Sequence, residues 1–146
     1  DIIHAISCGE NIVLRYPLAT RPWQHVLEPL AGYLLYAQAL FEGNDVPEAL
    51  NFGPETSAPV EKVVNIVLKV WETNVTWVLD KRSHPKEAHA LQLDVSLASR
   101  SLGWNPHLDL ETTIKWIVEW HKGHLAGLNP TSLTLKQIQS YQDLYS

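Results

Sequence analysis

Methionine is absent from all 146 residues, and cysteine occurs once, as Cys8. A single cysteine closes no internal disulfide and builds no cysteine-based zinc site, and the scarcity suits a reducing cytoplasm. Cys8 falls in an apolar helical stretch with no cationic cluster beside it, so it is expected to be a buried bystander. Clustered positive charge is missing too. The 11 Lys and Arg are scattered and the net charge is −5, which argues against a nucleic-acid groove. No apolar run approaches the roughly 18–20 residues that cross a bilayer. The chain contains no Gly-rich phosphate loop of the dinucleotide or triphosphate type, and no serine in a strand–turn–helix elbow. His121 and His124 stand three apart on a predicted helix, but with no third ligand at suitable spacing they read as a solvated face, and no metal site is expected. The opening stretch "DIIHAISCGEN" reads as the tail of a helix capped by Gly9. Together with the missing initiator, this leads to the expectation that residues 1–146 are a piece of a longer protein.

What is present alternates between strand and helix signals, the pattern of an α/β layer arrangement. Asn11–Arg15 is β-branched and aliphatic and predicts a short strand. After a proline-containing loop, Pro29 is expected to open a helix as its first residue, with Leu30, Tyr33, Leu34, Ala37, Leu40 and Phe41 at helical spacing. Leu35 and Ala39 widen that stripe, so this helix is expected to be covered on more than one side. "LNFGPE" predicts a strand broken at Gly53-Pro54. Pro59 opens a second helix with Val60, Val63, Val64, Val67, Leu68 and Trp71 on one stripe. Asn74–Asp80 and Ala90–Asp94 predict two further strands. Ser96–Leu102 is a short helix stopped by Gly103, and "LETTIKWIVEWHKGHL" is a long amphipathic helix with Asp109 as its N-cap. The tail from Thr131 carries a weak helical pattern.

Polar clusters recur beside these apolar elements, where α/β proteins usually hold ligands. One is Arg21-Trp23-Gln24-His25, a second is Asn51, and a third is His84-Pro85-Lys86-Glu87. A planar guanidinium recognises phosphate, a carboxylate accepts from vicinal ribose hydroxyls, and an amide donates to phosphate or base. The set suits a nucleotide-diphosphate ligand; each cluster taken alone also reads as an ordinary surface loop.

The stretch "RPWQHVLEPLAGYLLYAQAL", followed in order by "NFGP", "HPKEAHALQLD" and "SRSLGWNPHLDLETTIKWIVEWHKG", resembles the C-terminal portion of the CDP-glucose 4,6-dehydratase family. That family lies within the extended short-chain dehydrogenase/reductase superfamily. The pattern D-x-S-x-A-x-x-x-L-G-W-x-P, from Asp94 to Pro106, is general to extended members, whereas Arg21–Val26 is particular to the CDP-glucose branch. The resemblance covers nearly the whole chain and is least informative over the last fifteen or so residues.

The resemblance implies an α/β fold, the substrate-binding portion of an extended member without its main Rossmann domain. It implies that Arg21 reaches the pyrophosphate of a bound nucleotide sugar, with Trp23, Gln24 and His25 fixing the arginine loop. It further implies Glu87 at the ribose, His84 where several relatives carry a phosphate-binding arginine, Asn51 near the nucleotide, and Arg15, ahead of Tyr16, against the base. The partner so implied is CDP-glucose or a related nucleotide sugar, in deoxysugar and lipopolysaccharide O-antigen synthesis, in a cytoplasmic homo-oligomer. The NAD cofactor and the catalytic groups belong to an N-terminal portion. Here no Gly-rich cofactor turn occurs, and no tyrosine has a lysine four residues on. A non-catalytic binding module of the same fold, and a fragment of a related epimerase or decarboxylase, are the alternatives.

Overall fold

A helical stripe of valines organises the core. In the computed structural model, which describes residues 2–85 and 87–145, Val63, Val64 and Val67 of α3 (Val60–Trp71) are buried. They pack with Ile114 and Val118 of α5 (Leu110–Leu125), with Ile12 and Leu14 of β1 (Ile12–Leu14), and with Ile6 of α1 (Ile2–Cys8). Pro59, extended at φ −62° and ψ 147°, sits just before the first turn of α3, and Glu72 ends the helix in the left-handed region at φ 61°. Asp109 caps α5 as its side chain predicts, accepting from Thr112 N at 2.7 Å. Helix α6 (Pro130–Gln142) follows, capped by Asn129.

β1 runs parallel to β4 (Trp77–Leu79), with Ile12 opposite Trp77 and Leu14 opposite Leu79. Parallel strands need a crossover, and α3 lies within the connection between them. The second sheet is small. β2 (Thr20–Arg21) pairs antiparallel with β3 (Ala58–Pro59), and Ala90 bridges to Thr20 on the other side. A second core gathers Phe52, Trp104 and Ala98, the last from α4 (Ser96–Leu102), beneath Leu35 and Tyr36 of α2 (Leu27–Phe41). Gly32 makes this packing possible, because a Cβ there would lie 2.3 Å from the Phe52 ring.

Several expectations are corrected. α2 begins at Leu27, two residues before Pro29. Pro29 is tolerated there because the first four helical N–H groups have no intrahelical acceptor. The same helix is not covered on more than one side: Leu34 is 73 % and Phe41 93 % exposed, and its buried residues are Glu28, Gly32 and Ala39. "LNFGPE" forms no strand; the Phe52 carbonyl accepts from the Gln24 side chain at 3.0 Å instead of from a neighbouring strand. Ala90–Asp94 contributes a single bridge rather than a strand. Cys8 is exposed, because Ile6 is the residue that α1 turns inward. Lys86 of the third polar cluster lies outside the described residues. No helix among the described residues is long and apolar enough to cross a membrane.

Candidate functional site

Arg21 is held by its backbone before its side chain does anything. Thr20 N donates to His89 O at 2.9 Å and Leu91 N to Thr20 O at 3.1 Å, while β3 pairs on the opposite edge. The guanidinium then donates from Nη1 to the Thr20 carbonyl at 2.8 Å and from Nη2 to Glu87 Oε2 at 3.0 Å. The Arg21 side chain is 23 % exposed and that of Glu87 54 %. An ion pair this open is worth roughly 0–1 kcal/mol, so a phosphate can compete for the guanidinium and release Glu87 to other donors. The pair pre-aligns an anion-binding group beside a hydroxyl acceptor.

The residues behind Arg21 act as a strap. Trp23 Nε1 donates to the Ala58 carbonyl at 2.9 Å and Gln24 Nε2 to the Phe52 carbonyl. His25 is buried edge-on against Trp116, and its Nδ1 accepts from Leu27 N at 3.3 Å. Burial pushes the His25 imidazole below its ordinary pKa, against the opposing pull of Glu28 and of the Gln137 side chain. This arrangement agrees with the expectation that Trp23, Gln24 and His25 fix the loop.

Arg15 and Tyr16 share a cleft of about 470 Å³ with Glu87, floored by Ile12, Leu14 and Val60. Tyr16 Oη donates to the Pro85 carbonyl at 2.5 Å, and its ring meets His84 edge-on at 6.4 Å. The fold therefore brings Arg15, Arg21, His84 and Glu87 to one side of the molecule. His84 is already engaged, with Nε2 3.0 Å from Asp80 Oδ2. Arg82 grips the same carboxylate through Nε and Nη2 and holds Asp80 far below the usual carboxylate range. Asn51 is not brought into this group. Its Nδ2 donates to the Asp94 carbonyl at 3.2 Å, at the far end of the 87–94 segment.

Glu28 is a further residue at this site that the sequence pattern does not single out. It is fully buried; Oε1 accepts from His107 N at 2.9 Å and Leu108 N at 2.6 Å, and Oε2 from Tyr141 Oη at 2.7 Å. Its backbone carbonyl accepts from Trp104 Nε1. A charged residue inside "VLEPL" was the available signal, but its partners lie 79 to 113 residues away. Among the described residues no group of three His, Cys, Asp or Glu could hold a metal. The indole of Trp120 packs against both His121 and His124, and burial lowers the pKa of His121.

No family model matches the sequence. A CDP-glucose 4,6-dehydratase of Salmonella typhimurium is 40% identical over 144 residues, 97% of this chain and 40% of that protein. The structure of a UDP-glucose-4-epimerase from Stenotrophomonas maltophila, with bound NAD and formylated UDP-arabinopyranose, superposes with a TM-score of 0.74. It covers 86% of this chain and 39% of that one at 18% identity. The chain shares the fold of that epimerase over most of its own length. A UDP-glucuronic acid 4-epimerase from Bacillus cereus, in complex with UDP-glucuronic acid and NAD, gives 0.72 over 83% of this chain and 38% of that one, at 18% identity. The chain thus spans about 40% of the length of these extended relatives. Within the matched region the sheets are two-stranded and α2 carries a bare apolar face.

Proposed function

We propose that this chain is the nucleotide-sugar-binding portion of a CDP-glucose 4,6-dehydratase, which converts CDP-glucose to its 4-keto-6-deoxy derivative. The observation that carries the reading is the Arg21–Glu87 pair at the rim of the Arg15–Tyr16 cleft, in a chain 40% identical to such a dehydratase along almost its whole length. Arg21 takes the pyrophosphate, since a guanidinium released from a weak surface pair gains charge-assisted bonds to phosphate oxygens. Glu87, freed from Arg21, accepts from the ribose hydroxyls, and Arg15 lies against the base. His84, tied to Asp80, contributes by holding Tyr16, and Asn51 supports the Asp94 end of the 87–94 segment.

NAD supplies the oxidation at C4 and the hydride return at C6 in such enzymes, and this chain does not fit that cofactor. It carries neither a Gly-rich turn nor a Tyr-x-x-x-Lys pair, so binding and orientation of the sugar nucleotide are its share of the work. The natural polypeptide is a cytoplasmic homo-oligomer that feeds deoxysugar synthesis for lipopolysaccharide. Incubation of that polypeptide with NAD and CDP-glucose should yield the 4-keto-6-deoxy product, while the 146-residue chain alone should yield none. Turnover by the chain alone would overturn the division of labour. A C4 epimer as the product would favour an epimerase, a reading supported by the 29% identity over 77 residues to UDP-glucuronate 4-epimerase 5 of Arabidopsis thaliana.

A further inference from the structure

Helix α6 buries little of itself. Tyr141 is its buried residue, Leu133 packs against Gly123 of α5, and two further attachments are polar. Thr134 Oγ1 accepts from Trp120 Nε1 at 3.0 Å, and Gln137 Nε2 donates to the Trp116 carbonyl at 2.7 Å. The Gln137 side chain lines the same cleft as the His25 ring, and Tyr141 Oη donates to Glu28 Oε2. Both His25 and Glu28 are buried; His25 lies in the strap that carries Arg21, and Glu28 in the first turn of α2 that the strap enters.

We propose that Tyr141 and Gln137 are positioning residues for the nucleotide sugar, α6 setting the reach of Arg21 by gripping His25 and Glu28 from behind. The inference rests on the reading of Arg21 as a pyrophosphate ligand. The strap leaves β2 at Arg21 and enters α2 at Leu27, so its path is short. Trp23 and Gln24 anchor its first half to the Ala58 and Phe52 carbonyls. Its second half hangs on side chains that α6 and the loop before α5 hold in place. Removing the Tyr141 hydroxyl takes a charge-assisted donor from a carboxylate that has no access to water, so Glu28 must shift or admit solvent. Either response moves the start of α2 and tilts the segment that ends at Arg21. The Gln137 side chain acts at the other point, on the ring whose Nδ1 receives the Leu27 N–H. An α6 with little buried surface is an element that opens at low free energy, so its hold on the strap depends on these bonds.

The test is CDP-glucose titration by calorimetry of the natural polypeptide that carries this chain, with single and double variants. Tyr141→Phe and Gln137→Ala should each weaken binding about fivefold, the scale of one lost net hydrogen bond. In an Arg21→Ala background the same changes should shift affinity less than about twofold, because coupled residues are not additive. A merely structural role would leave the loss equal in both backgrounds, and that result overturns the inference, as does unchanged affinity in both single variants. Should Tyr141→Phe fail to fold, Gln137→Ala on the outer part of α6 decides alone. If Arg21→Ala itself leaves affinity unchanged, the Arg21 site falls and the inference with it.

Discussion

Helix α2 is rich in leucine and aromatic residues and helix α3 in valine, yet the two apolar helices have opposite fates. α3 buries Val63, Val64 and Val67 between α5 and the β1–β4 sheet. α2 buries a glutamate, a glycine and an alanine, while Leu30, Tyr33, Leu34, Leu40 and Phe41 stay on the surface. Apolar content marks a helix as destined for burial, but whether burial occurs within the same 146 residues depends on what else is present to pack. The outer face of β1 and β4 behaves like α2: the paired Val13 and Val78 are exposed, on a parallel pair of the kind that is covered on both faces in complete α/β sheets. The interior around α3 is closed, whereas the apolar face of α2 is open.

Core truncation gives the largest contrast. Trp104 is buried, packs edge-on against Phe52 and donates to the Glu28 carbonyl. Trp104→Ala should cost about 3–5 kcal/mol in denaturant unfolding, whereas Leu34→Ala should fall within about 0.5 kcal/mol. A large loss at Leu34 would mean that α2 is covered in solution by another copy.

Next in size is the binding site. Arg21→Ala should weaken CDP-glucose binding by about 1.5–3 kcal/mol in calorimetry of the natural polypeptide. NAD affinity should hold, since the cofactor groups lie elsewhere. At Glu87, Gln should retain part of the ribose contact and Ala should lose it, so the preference for ribo- over 2′-deoxyribonucleotides should shrink with the alanine variant. Equal binding of both sugars by the unmodified protein would remove Glu87 from the ribose.

A smaller effect is set by pH. Burial lowers the pKa of His25 from its ordinary 6.5, so the unfolded chain takes up the proton first as the medium is acidified. Its contribution to stability is complete above about pH 6.5 and is lost as the pH falls through the depressed folded value. Urea midpoints measured from pH 7.5 down to 5 should decline in the native chain, and the decline should be shallower in His25→Gln.

The smallest change in stability should bring a visible change in association. Phe41→Asp replaces a ring that is 93 % exposed, so unfolding should be unaffected. A bare apolar stripe and an unpaired parallel edge favour self-association of the isolated chain, and light scattering should report smaller species for the variant. Unchanged species would place the contact on another face.

Much of the secondary structure was legible because its signals are local. The valine stripe of α3, the Asp109 cap, the Gly9 and Gly103 stops and the β-branched run at β1 each state their conformation within a few residues. Strands at 50–55 and 90–94 were misread because strand pairing needs a neighbour, and in this chain the Phe52 carbonyl finds the Gln24 amide instead. In the site, Arg21 and Glu87 were recognisable by residue type and by resemblance, but not as a pair, since 66 residues separate them. Asn51 looked equivalent to them and was not brought alongside.

The sequence by itself determined which segments coil, where most of them stop, and which polar clusters could serve a nucleotide sugar, because turn chemistry and apolar spacing act over one or two turns of chain. Tertiary structure alone decided the rest. It brought Arg21 against Glu87, turned His84 toward Asp80, and closed Glu28 beneath Tyr141. Each of these depends on bringing together groups far apart along the chain, and a buried carboxylate is tolerable only once every distant donor it needs has arrived.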